Sequence, residues 1–194
     1  MQPVQFILNF FVTRRLYLLL GVNVVLFLFR FFFEDLGQLP WVFFWALMLA
    51  LAADIFFLFV INRKPVMQRV VPERFSNGDE NDVKIVLQNM YPFTVKAEVI
   101  DELPPQFQER NFSIKTTLKP GEEKELHYKL RPVERGAYFF GKLNVYIQSL
   151  LGLAERRCMN DSGVMVPVYP SFLRMRQYQL MAEAAQIVQS GNKR

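Results

Sequence analysis

The chain has 194 residues, 52% of them hydrophobic, and its 23 Lys and Arg against 18 Asp and Glu give a formal net charge of +5. That length admits a membrane segment and one domain of ~100–150 residues. One cysteine, Cys158, excludes an intrachain disulfide, and one histidine, His127, leaves a zinc or histidine-based hydrolytic centre without parts.

Residues 1–15 carry Phe6, Ile7, Phe10 and Phe11 at helical spacing. This places the segment on the inner membrane interface, or makes it a tilted extension of the next helix. Two apolar runs follow, residues 16–33 and 41–61, each within the ~17–25 residues that a helix needs to cross a hydrocarbon core. A backbone in lipid must satisfy its own hydrogen bonds, so residues 16–62 read as an antiparallel transmembrane hairpin. No small-residue cleavage site follows the first run, which argues against a signal peptide. Arg14 and Arg15 precede the hairpin, Arg63, Lys64 and Arg69 follow it, and the connecting loop holds Glu34 and Asp35. Both ends and everything after them are therefore expected in the cytoplasm, with Tyr17, Trp41 and Trp45 as interfacial anchors.

Three polar residues interrupt the runs: Asn23, Arg30 and Asp54. Asn23 comes seven residues after Leu16 and Asp54 seven before Ile61, which puts both ~10 Å deep from the same side. The expectation is an intramembrane hydrogen bond between Asn23 and Asp54 that fixes the hairpin, the alternative being contact with a partner's membrane helix. Arg30 is close enough to the outer end to snorkel.

After Lys64 the period becomes alternating. Val83, Ile85 and Leu87 take turns with polar neighbours, as do Val95, Ala97 and Val99, and again Leu126, Tyr128 and Leu130. With further strands at 66–74, 137–148, 153–158 and 164–169, about seven or eight short strands result. Residues 63–170 are thus predicted to form an all-β, immunoglobulin-like sandwich, with a small barrel as the alternative. Residues 171–194 read as an amphipathic helix, capped by Ser171 and lined by Leu173, Met181, Ala184 and Val188, with a polar tail. Arg63, Lys64, Arg69 and Arg74 are expected to seat the domain on an anionic leaflet. Other basic residues alternate with acids and no nucleic-acid-binding signature occurs, so nucleic acid is set aside as a partner. His127 falls on the outward side of its strand, and Asp101-Glu102 reads as a strand end rather than an acid/base pair. No catalytic, metal or cofactor site is predicted.

The most specific stretch is Arg135-Gly136-Ala137-Tyr138-Phe139-Phe140-Gly141, followed by Gly152-Leu153 and then Val168-Tyr169-Pro170. With the hairpin before it, this resembles the N-terminal part of the bacterial domain-of-unknown-function family 58. Its members carry Arg-Gly-x-Tyr-x-Phe-Gly, then Asp-Pro-aromatic-Gly-Leu, then Val-Tyr-Pro. Ser149-Leu150-Leu151 stands where the family has Asp-Pro-aromatic, and the motifs of the family's von Willebrand factor A-like domain do not occur in these 194 residues. The motif residues Arg135, Gly136, Tyr138, Gly141, Gly152, Leu153, Tyr169 and Pro170 have structural tasks on this reading. The resemblance implies a bacterial inner-membrane protein that works with a MoxR-type AAA+ ATPase, or with an A-domain protein, in envelope or complex assembly. The function expected is a non-enzymatic, membrane-anchored interaction or scaffold module. An accessory subunit of a membrane transporter or enzyme is the alternative.

Overall fold

The computed structural model of the chain describes residues 9–33, 35, 37–61, 63–109 and 112–170. A short strand, β1 (Phe10–Val12), leads into helix α1 (Arg14–Phe32). Helix α2 (Leu39–Ile55) carries Pro40 in its first turn, where a missing N–H costs nothing, and continues through a π-helical turn at Phe56–Val60. Both helices are long and apolar enough to cross a membrane.

The helices are antiparallel but staggered. The Asn23 side-chain amide donates to the Pro40 carbonyl at 3.0 Å, Phe27 meets Trp41 edge-on at 5.2 Å, and Leu16 and Leu47 share an apolar cluster with Leu153. This register leaves the last turns of α2 without α1 beside them. They pack instead on the β-domain, where Leu58 and Phe59 are buried in its core and Leu51 and Ile55 pack against it.

Ten strands build that domain: β2 (Val66–Val70), β3 (Phe75–Ser76), β4 (Asn81–Gln88), β5 (Val95–Asp101), β6 (Ser113–Leu118), β7 (Glu123–Leu130), β8 (Gly136–Phe140), β9 (Leu143–Gln148), β10 (Ala154–Asn160) and β11 (Val164–Tyr169). The five-stranded sheet has the order β1-β10-β9-β5-β6, and two three-stranded sheets have the orders β2-β4-β7 and β3-β11-β8. All pairings are antiparallel except β11 with β3. Inward side chains of all three sheets form one core, in which Val83, Ile85 and Leu87 of β4 are buried together with Val95, Ala97 and Val99 of β5. Separate sheets around a shared core make this a β-sandwich and not a closed barrel.

Three expectations change. Residues 10–12 are a strand and not helical: β1 pairs with β10, Phe10 opposite Arg156 and Val12 opposite Ala154, because the open edge of β10 offers backbone partners. The Phe10 ring packs on Phe59 at 6.2 Å. The strand expected at 137–148 divides into β8 and β9, which belong to different sheets. Gly141 is the crossing point, and a Cβ there would lie 2.6 Å from Glu102 Oε2 and 2.9 Å from Glu102 Cβ. The Glu102 backbone exchanges hydrogen bonds with Gly141 and Lys142, which closes this turn against the end of β5. The strand expected at 66–74 stops at Val70. The helix expected over 171–190 lies outside the described residues.

Replacing Gly141 with Val should destabilise the sandwich by ~1–3 kcal/mol through this crowding. Thermal unfolding of the detergent-solubilised chain should register a lower midpoint. Gly21→Ala in α1, with nothing within 4 Å of the added carbon, should leave the midpoint level or raise it.

Candidate functional site at the helix–sandwich junction

Asp54 is fully buried near the end of α2. Its carboxylate accepts the backbone N–H groups of Leu153 and Ala154, each at 2.8 Å, and the hydroxyl of Ser149. Ser149 and Leu153 belong to the turn between β9 and β10, and Ala154 is the first residue of β10. The turn is held from the other helix as well: the Thr13 N–H donates to the Leu153 carbonyl at 3.1 Å and its hydroxyl to the Gly152 carbonyl at 2.7 Å. Gly152 makes this possible with a left-handed φ of 64°, and the Arg15 guanidinium lies 3.4 Å from where its Cβ would be.

One turn further along α2 a second attachment forms. The Leu58 carbonyl accepts Arg156 Nη1 at 2.7 Å and the Tyr91 hydroxyl at 3.1 Å. A π-helical turn leaves carbonyls without their usual partner, and these two side chains provide one. Arg156 is 1% exposed in the middle of β10, with its guanidinium 5.1 Å from the centre of the Phe59 ring. Burial pushes the Tyr91 phenol up to about 12, an effect that the nearby Arg156 partly offsets.

Asn23 and Asp54 are therefore not partners. Asn23 bonds Pro40 and does join the two helices, whereas Asp54 lies fourteen residues further along α2, ~21 Å at the helical rise. The two helices are staggered and do not end at the same level, so equal spacing from the ends of the apolar runs does not bring the two residues together. Arg69 also leaves its expected place. It does not face a leaflet but is buried against Asp101, with Nη2 to Oδ1 at 2.5 Å and Nε to Oδ2 at 3.0 Å.

That pair sits at the other end of the sandwich and ties its layers together. The Tyr128 hydroxyl of β7 donates to Asp101 of β5 at 2.5 Å, and Arg69 of β2 also reaches the Gly141 carbonyl at 3.0 Å. Burial raises the Asp101 pKa, against the pull of Tyr128 and Arg69, and pushes the Tyr128 phenol far above its usual range. Asp101 thus ends its strand as read, with a buried structural role that the sequence reading did not assign.

The other motif residues are placed as follows. Tyr138 and Phe140 share the inward face of β8, and the Tyr138 hydroxyl donates to the Glu134 carbonyl at 3.1 Å. Arg135 is exposed, and Gly136 opens the strand with φ 144°. Leu153 is buried beside Leu16 and Leu47, while the Tyr169 carbonyl receives Asn77 N–H at 2.8 Å and Pro170 follows it. His127 is exposed, 3.4 Å from Glu125. Among the described residues no three His, Cys, Asp or Glu side chains gather as a metal site would require.

Fold and junction together define a class of architecture, an apolar helical hairpin locked by hydrogen bonds onto the end of a β-sandwich. No family model and no curated protein matches the chain. Among solved structures, it is similar to the CARDB domain of the PF1109 protein from Pyrococcus furiosus, at 14% identity over 55% of this chain and 88% of that one, with a TM-score of 0.36. The PapD-like domain 7 of human CEP192 shares 12% identity over 54% of this chain and 86% of its own, at a TM-score of 0.40. The β-glucosidase of Listeria innocua matches 56% of this chain with only 16% of its own, at 12% identity and a TM-score of 0.31. The sandwich is defined by the strand pairing of this chain itself.

Asp54→Leu should leave two buried N–H groups unpaired, at ~1–3 kcal/mol for each. Hydrogen exchange should show the Leu153 and Ala154 amides losing protection while those of β4 and β7 keep theirs. Alkaline pH should loosen the second attachment. The unfolded Tyr91 ionises near 10.0 and the folded one near 12, so between those values the folded state holds the extra proton and stability falls as pH rises. Melting midpoints measured across that window should fall less steeply for Tyr91→Phe, with Tyr128 and the buried Cys158 thiol, both pushed up by burial, contributing to the remaining slope.

Proposed function

We propose that this chain is a non-enzymatic, membrane-anchored interaction module. Its hairpin crosses a bacterial inner membrane with both ends in the cytoplasm, and it holds an immunoglobulin-like sandwich in a set orientation beneath the bilayer. The observation that carries this reading is the junction. A domain on a passive tether would need only a linker, whereas here Asp54, Thr13, Arg156 and Tyr91 all bond across the boundary. Such a connection orients a surface for a partner.

The charge pattern around the hairpin supports the orientation. The bond from Tyr138 back to the backbone four residues upstream, similar to the tyrosine corner of immunoglobulin-like domains, supports that assignment of the sandwich. The motif stretch from Arg135 to Gly141 supports a MoxR-type AAA+ ATPase, or an A-domain protein, as the partner. Asn23 and Asp54 both direct their hydrogen bonds within the chain, which favours an anchor over an accessory subunit that would use them against other membrane helices.

Affinity capture of the full chain from gently solubilised membranes should recover an AAA+ ATPase or an A-domain protein. Leu28→Trp, on the exposed face of α1, should leave that recovery unchanged; its loss would favour the accessory subunit. Protease added outside intact cells should spare residues 64–194, and digestion of that region would reverse the orientation.

A further inference from the structure

The turn between β9 and β10 carries two adjacent leucines that the sandwich does not cover. Leu150 is 80% exposed and Leu151 45%, although Ser149 before them and Leu153 after them are buried. Their height along the hairpin is set by the bonds of this turn to Asp54 and Thr13. Asp54 lies inside the apolar run, which continues past it toward the sandwich with Phe56, Phe57 and Val60, each 45% to 62% exposed. Leu150 and Leu151 therefore stand at the level of side chains that themselves need a non-aqueous surrounding. Arg15, packed beside Gly152, adds a cation at that level, where a lipid phosphate would complement it.

We propose that the β9–β10 turn is a third membrane-inserted element, with Leu150 and Leu151 entering the boundary between headgroups and acyl chains alongside the hairpin. The occupant is lipid because the leucines continue the apolar surface of the helices, and the Gly152 carbonyl and both backbone groups of Leu153, the part of the turn nearest the helices, already have partners in Thr13 and Asp54. The sandwich is then partly seated in the interface, which limits its tilt. This inference rests on the hairpin spanning a bilayer.

The test places a nitroxide at Leu150→Cys in the full chain, reconstituted in vesicles of phosphatidylcholine and phosphatidylglycerol. Collision with oxygen and with a water-soluble nickel chelate is then compared for three sites. Leu28→Cys in α1 is the lipid reference. Val133→Cys, 70% exposed on the β7–β8 turn at the far end of the sandwich, is the aqueous one. Cys158 is 4% exposed and is replaced by Ala if the label reaches it in the parent chain. The expected result is oxygen accessibility at Leu150 close to that of Leu28, with nickel accessibility several-fold below that of Val133. A Leu150 label that matches Val133 while Leu28 stays lipidic overturns the insertion and leaves the hairpin reading intact. Shielding of Leu150 from both reagents, with dipolar broadening between labels, would mean that a second copy covers the leucines and would also overturn it. If Leu28 itself is aqueous, the membrane reading fails and this inference with it.

Discussion

The carboxylate of Asp54 is the constraint on which the architecture turns. An ionisable group buried in an apolar helix is tolerable only with its acceptor sites filled, and here the donors come from a turn about a hundred positions later in the chain. Helix α2 thus cannot be placed independently of the sandwich, and the sandwich cannot rotate freely below the helices. Thr13 repeats the constraint from the start of α1, so both helices enter the same few residues of β10 and its preceding turn.

The sandwich itself contains two further buried polar centres, one at each end. Near the helices, Arg156 reaches out of β10 to complete the last turn of α2. At the far end, Arg69, Asp101 and Tyr128 join strands of different sheets. Either centre would be costly if a partner were missing, since an unpaired buried charge is worse than none. Such centres demand particular registers: a slip of one residue in β2, β5 or β10 would turn Arg69, Asp101 or Arg156 outward and leave the others unpaired. Apolar packing makes the sandwich favourable, and these groups select one arrangement of it.

Part of this was visible in the alternation of the strands. Asp101 continues the inward series Val95, Ala97 and Val99, and Arg156 sits between the inward Ala154 and Cys158. A charged residue in phase with a buried face signals a buried pair, and that signal was available for both. Their partners were not legible, because Tyr128 in an apolar series looks like ordinary core and Arg69 next to a membrane segment looks like a lipid contact. The division at Gly141 was hidden for a similar reason: two glycines around Tyr138 and Phe140 are compatible with one long strand or two short ones until the position of Glu102 is known.

The amino-acid order alone determined that two apolar segments form helices, that most of residues 66–169 forms short alternating strands, and which faces of those strands turn inward. These properties follow from periodicity and hydrophobicity, which act within a few residues of each position. Only the tertiary structure decided the stagger of the hairpin, the pairing of residues 10–12 with β10, and the meeting of Asp54 with Leu153 and Ala154. An apolar helix with no polar stripe presents nearly equivalent faces to any neighbour, so its register is set by a few hydrogen bonds. Those bonds join residues far apart in the chain, and no local pattern encodes them.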